Sequence, residues 1–155
     1  MAPDGKTLYR LPQMNVATFG AFHLTVGINR GVVWDLGSYR KLYTNSGLRL
    51  SLSCGARAKT DSEECCRFFF VINNADCSTP GPIEGVISMN VNSNIHRPIL
   101  IEGICEGIPA GDVNLSVHVG YCKDQVSIAD CHFGHKSYDH VMASEVYAER
   151  EIIYF

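Results

Sequence analysis

The stretch LRLSLS (48–53) alternates without a break, with Leu48, Leu50 and Leu52 on one side and Arg49, Ser51 and Ser53 on the other. Side chains of an extended chain point to opposite faces in turn, so this pattern predicts a strand with one buried face. VNLSVHVGY (113–121) repeats it, Val113, Leu115, Val117 and Val119 alternating with Asn114, Ser116 and His118. CRFFFVIN (66–73) is instead a continuous apolar run of strand length, as expected of a strand covered on both faces. VATFGAFHLTVGI (16–28) is rich in β-branched and aromatic residues, and Gly20 and Gly27 count against a helix there. IEGVISMNV (83–91) and PILIEGICE (98–106) read as two more strands, separated by the polar segment NSNIHR.

STPGP (78–82) and GIPAGD (107–112) read as turns, because proline fixes φ and removes a donor while glycine opens conformations closed to other residues. The segment 137–155, SYDHVMASEVYAEREIIYF, fits two descriptions: its middle has helical propensity, and a terminal strand or two would suit a sheet protein equally well. Eight or so strands with closely spaced turns predict an all-β fold, a sandwich or a jelly roll. With no internal repeat or linker, the chain reads as one globular domain over 1–155, residues 1–14 forming an extended N-terminal arm.

At 155 residues, with 46 % hydrophobic and 19 % charged, the chain can bury a core of its own and lies far from the composition of disordered segments. The formal net charge is −3 and the 13 Lys and Arg are scattered, so no phosphate-tracking stripe is present and nucleic acid is not an expected partner. No apolar run approaches the roughly 20 residues of a membrane-spanning helix. MAPDGKTLYRLPQ contains no apolar h-region, so no signal peptide is visible at the start.

Seven cysteines, at 54, 65, 66, 77, 105, 122 and 131, change the picture most. They avoid CxxC spacing and are spread through the chain, which favours disulfides formed in an oxidising compartment over zinc or redox chemistry. In an extended segment Cys65 and Cys66 point to opposite faces, so each is expected to reach a different partner. Any six cysteines allow 15 complete pairings, and the seventh is left over or links two chains. CKDQVSIADCHFGHKSYDH (122–140) gathers Cys122, Asp124, Asp130, Cys131, His132, His135 and His140, a composition that could hold zinc but whose spacing matches no zinc module. A polar loop explains it equally, and no metal or cofactor is expected. No GxSxG elbow, HExxH helix or P-loop is present, so the chain does not read as an enzyme. NLS (114–116) is an N-glycosylation sequon, which makes Asn114 a candidate acceptor.

CCRFFFVINNADCSTPGPIEGVI and NIHRPILIEGICEGIPAGDVNLSVHVGYC carry a resemblance spanning residues 65–122. A vicinal CC before an aromatic strand, then N-A-x-C-S-x-P-x-P-I-E, N-I-H-R, E-G-x-C-E-G-I-x-A-G and V-G-x-C, resembles in order the C-terminal domain of the collagen triple helix repeat-containing protein 1 family. The resemblance implies a jelly roll like the trimeric heads of complement- and TNF-like proteins, secreted, matrix-associated and linked to Wnt–Frizzled signalling. It places Cys65, Cys66, Cys77, Cys105 and Cys122 on matching positions of a disulfide framework, with Cys54 as its sixth member and Cys131, which has no counterpart there, as the odd cysteine: a free thiol, a new partner for Cys54, or an interchain link. The sequence departs from the family in having no Gly-X-Y run and in lacking the sequon expected before NIHR, where it reads NVNSN. The expected function is that of a secreted, non-enzymatic homotrimeric binding module whose partners are extracellular glycoproteins or receptors. Two rivals are a structural matrix or skeletal assembly protein and a carrier of a small apolar ligand or pigment, held by Trp34, Phe68 and Phe70.

Overall fold

The computed structural model describes residues 13–22, 31–60, 64–89, 92–122, 130–133 and 138–147. Nine strands follow one another in these segments: β1 (Gln13–Phe22), β2 (Gly31–Lys41), β3 (Gly47–Lys59), β4 (Glu64–Ile72), β5 (Glu84–Met89), β6 (Arg97–Cys105), β7 (Gly111–Tyr121), β8 (Asp130–Phe133) and β9 (Tyr138–Val146). The first sheet runs β1-β9-β3-β6, with short β8 paired to the far end of β3, and the second runs β2-β7-β4-β5. All pairings between the strands are antiparallel. The chain crosses between the two sheets repeatedly, and the long strands interleave as in a jelly roll, which is the β-sandwich the alternation predicted. Residues 1–12 of the expected N-terminal arm lie outside the described residues, and Gln13 and Met14 belong to β1.

The core is where the alternating positions meet. Leu48, Leu50 and Leu52 of β3 face Val113, Leu115, Val117 and Val119 of β7 and the rings of Phe68, Phe70 and Phe133, all buried in one cluster. Full burial of one such side chain is worth about 1.5–3 kcal/mol. The sheets approach tightly near β5 and β6: a Cβ on Gly85 would sit 2.8 Å from Ile101, and one on Gly103 2.9 Å from Ile83. A larger residue at either position would force the facing isoleucine to shift in the packed core.

Two features are not legible in the sequence, and one reading needs correction. β2 was not legible from alternation, because two bulges, between Val32 and Trp34 and between Asp35 and Gly37, break its period and space the buried Val33, Leu36 and Tyr39 by threes. A tight turn precedes STPGP, which itself bends at Thr79 and Pro80: Asn73 and Asn74 both adopt positive φ (49° and 64°), a conformation Asn tolerates, and Ile72 and Ala75 exchange backbone hydrogen bonds across them. Residues 130–133 form a strand and not a loop, turning Cys131 and Phe133 into the core. The ambiguous C-terminal stretch resolves as strand β9, with a helix ruled out over 138–146 by its pairing to both β1 and β3.

Candidate functional site

Cys65 and Cys66 do leave β4 on opposite sides. Cys65 bonds Cys122, just beyond β7 in the same sheet, with the Cα atoms 6.0 Å apart. Cys66 turns inward and bonds Cys131 on β8, crossing to the first sheet, with the Cα atoms 5.8 Å apart. Cys77, in the loop after β4, bonds Cys105 at the end of β6. The left-over cysteine is therefore Cys54 and not Cys131. The reason is geometric: β8 pairs Ala58 with Cys131, which carries that thiol into the sandwich opposite Cys66, whereas Cys54 on β3 points inward between Ile99 and the buried Asp139. Burial first, and the Asp139 charge second, push the Cys54 thiol far up, so it stays protonated.

With both thiols in disulfides, Cys122 and Cys131 cannot ligate zinc. Of the remaining members of that cluster, His132 lies 3.2 Å from Asp130, and His140 is exposed on β9. Asp124 and His135 lie outside the described residues. Among the described residues no three His, Cys, Asp or Glu side chains come together as a metal site. Phe68 and Phe70 face the core with essentially no exposed surface, and Trp34 packs half-buried against the same cluster, so the three do not line a ligand cavity. Core neighbours already occupy the rings, which displaces the reading of them as ligand contacts.

A buried charge network with no local signature in the sequence joins the β2–β3 loop to β9. Glu145 of β9 accepts from the Leu42 N–H (2.9 Å) and the Tyr43 N–H (2.8 Å), and Ser46 Oγ lies 2.9 Å from the same carboxylate. The buried Lys41 ammonium donates to Ser46 Oγ (2.9 Å) and to the Tyr43 carbonyl, and stands 4.0 Å from Glu145. Burial lowers the Lys41 pKa, and the Glu145 charge opposes that shift. The network fixes the β2–β3 loop, on which Leu42 and Tyr43 are exposed.

The two outward faces of the sandwich differ in chemistry. On the second sheet, Arg67 lies 3.9 Å over the Phe69 ring and pairs with Asp76 (3.1 Å) and Glu84, and Phe69 packs on His118. This covers the outward side of the CRFFFVIN run with its own neighbours and not with a further layer. Ser116 Oγ is 2.9 Å from His118 Nε2, and burial lowers the His118 pKa against the pull of Asp76. Beside them a shallow cavity of about 240 Å³ is lined by Val32, Asp35, Asn74, Asn114, Ser116 and His118.

The outward face of the first sheet carries a set of exposed apolar side chains, and the second face exposes two, Val32 and Val86. On the first-sheet face, Leu100 (68 % exposed), Tyr138 (59 %), Val16 (51 %) and Met142 (42 %) stand with the small polar Thr18, Ser51 and Ser53 and with exposed His140. Register sets Met142 beside Thr18 and Ser51, and Leu100 beside Ser53. The Arg49–Glu102 ion pair lies toward one side of it. Isolated exposed apolar residues are ordinary, but four large ones on one sheet face mark a candidate contact surface.

A family model described as the CTHRC1 C-terminal domain matches residues 13–143. The chain belongs to that family. The match covers every described strand except the last residues of β9, and it agrees with the ordered cysteine and N-I-H-R phrases. Members are extracellular, matrix-associated, non-enzymatic domains, and three disulfides fit a secreted chain. Among solved structures, the chain is similar to the infectious bursal disease virus Gx strain at 7 % identity and a TM-score of 0.29, over 97 % of this chain and 33 % of that one. It is also similar to a D431N mutant VP2 protein of the same virus, from derived T=1 particles, at 8 % identity and a TM-score of 0.29, over 91 % and 36 %. The chain spans about a third of those proteins, and at such scores the fold assignment rests on strand order and register alone. No helix among the described residues is long and apolar enough to cross a membrane.

Proposed function

We propose that this CTHRC1-type domain is a secreted, non-enzymatic binding module that works as a homotrimer, with the outward face of the β1-β9-β3-β6 sheet as its self-association surface. The carrying observation is the apolar set Val16, Leu100, Tyr138 and Met142 on that face. Burying such a set between subunits recovers the transfer free energy that its exposure forgoes. The small side chains at Thr18, Ser51 and Ser53 let neighbouring sheets approach closely. In this reading the disulfides and the Lys41–Glu145 network hold the sandwich rigid, so that its loops present a fixed surface to extracellular partners. The family's link to Wnt–Frizzled signalling makes a Frizzled-type ectodomain the receptor to test. Surface-plasmon binding of purified chain to such an ectodomain should saturate, with a slower off-rate for the assembled form than for a Leu100→Glu variant. No binding at high concentration from chain of verified assembly removes the signalling role and leaves a matrix role.

A further inference from the structure

We infer that Asn114 carries an N-linked glycan that covers the outward face of the second sheet. The inference rests on the secreted reading above, because only chains in the secretory pathway meet the transferase. The sequence contains a single Asn-x-Ser/Thr phrase, Asn114-Leu115-Ser116. Such a phrase arises by chance in many chains, and the fold decides whether it can be used. On β7, Val113, Leu115, Val117 and Val119 are buried, so Asn114 and Ser116 project from the opposite, outward side, and Asn114 is exposed. Asn114 sits near the start of β7, opposite Ser38 of β2 and next to the Asn73–Asn74 turn, where small polar side chains leave the approach clear. The 240 Å³ cavity beside it provides further open space for the first sugar. Three disulfides fit the oxidising compartment where this modification occurs.

The step joins the Asn114 amide nitrogen to the anomeric carbon of an oligosaccharide carried on a lipid pyrophosphate. The amide loses one proton, the lipid pyrophosphate leaves, and no electron is exchanged. In the folded chain the Asn114 backbone is held on both sides, its N–H donating to Asn73 Oδ1 and its carbonyl accepting from the Asn73 N–H, and Ser116 Oγ is engaged with His118. The sugar is therefore attached before β7 is locked into its sheet. Once present it occupies the face opposite Val16, Leu100, Tyr138 and Met142, which leaves the proposed assembly face free.

The test is peptide mapping by mass spectrometry of the full chain, expressed with a leader in a eukaryotic secretory host, before and after amidase removal of N-glycans. The wild type should carry a glycan mass on the peptide containing Asn114. Asn114→Gln and Ser116→Ala should lose it, and Ser116→Thr should keep it. Because the host supplies the secretory route, a secreted, disulfide-bonded chain with bare Asn114 overturns the glycan without touching the secreted reading. Asn114→Gln should also leave the number of subunits unchanged, and a change in that number would put Asn114 in an interface and overturn the assignment.

Discussion

Cys65–Cys122 and Cys66–Cys131 start from adjacent residues and end nine residues apart, so each protects the other's loop. Their sequence separations are 57 and 65. With one bond intact, opening the other frees a loop of only about ten residues, one step from 66 to 65 and nine from 122 to 131. The chain-entropy relation gives ~2.7 kcal/mol for such a loop. Removing both bonds also releases the long loop, which the remaining Cys77–Cys105 bridge shortens to about 30 residues and which is worth ~3.6 kcal/mol more. Replacing Cys66 and Cys131 by Ala, or Cys65 and Cys122 by Ala, should therefore cost ~3 kcal/mol each, and all four together about 1 kcal/mol more than the sum. Packing lost with the buried sulfurs adds to each variant, so the excess over additivity is the diagnostic quantity. Guanidinium unfolding followed by fluorescence, with the native cross-links verified by mass spectrometry, reads it. A quadruple variant that is no less stable than the sum predicts would refute the loop argument.

Glu145→Ala leaves the buried Lys41 charge without its counter-ion and should cost about 3–5 kcal/mol, and adding Lys41→Met should recover part of that in the same unfolding assay. A double variant as unstable as the two single losses combined would show no coupling. Cys54 should resist maleimide in the native chain at pH 8, because burial holds its thiol protonated and inaccessible, and denaturation without reductant should release one reactive thiol per chain. Seven thiols would dissolve the disulfide assignment. Burial lowers the His118 pKa from its ordinary 6.5, so the unfolded chain takes up a proton there before the folded one does. Its contribution to stability is complete above pH 6.5 and is lost as pH falls below that value. Urea midpoints at pH 7.5 and 5.5 should separate less in His118→Gln than in the wild type, and equal separations would refute this.

Alternation exposed β3 and β7 because those strands are regular and have one buried face each. β2 escaped because its bulges change the period, a feature set by pairing with β7 across more than seventy residues and not by local sequence. The opposite faces of Cys65 and Cys66 followed from strand geometry alone. Which cysteine stood apart did not: it depends on β8 reaching β3, and four residues between two polar stretches gave no periodic signal. Phe68 and Phe70 show the same limit, since an apolar run fits a core and a ligand pocket equally until the opposite sheet is placed. The Lys41–Glu145 network joins residues over a hundred positions apart, and neither residue carries a local mark of burial.

The assembly face is tested most directly by sedimentation equilibrium of the oxidised chain at micromolar concentration, alongside a Leu100→Glu, Met142→Lys variant whose folding is checked by its unfolding midpoint. Three times the chain mass for the wild type, and one chain mass for a variant that stays folded, is the predicted result. A monomeric wild type, or a trimer that both charges leave intact, would contradict it.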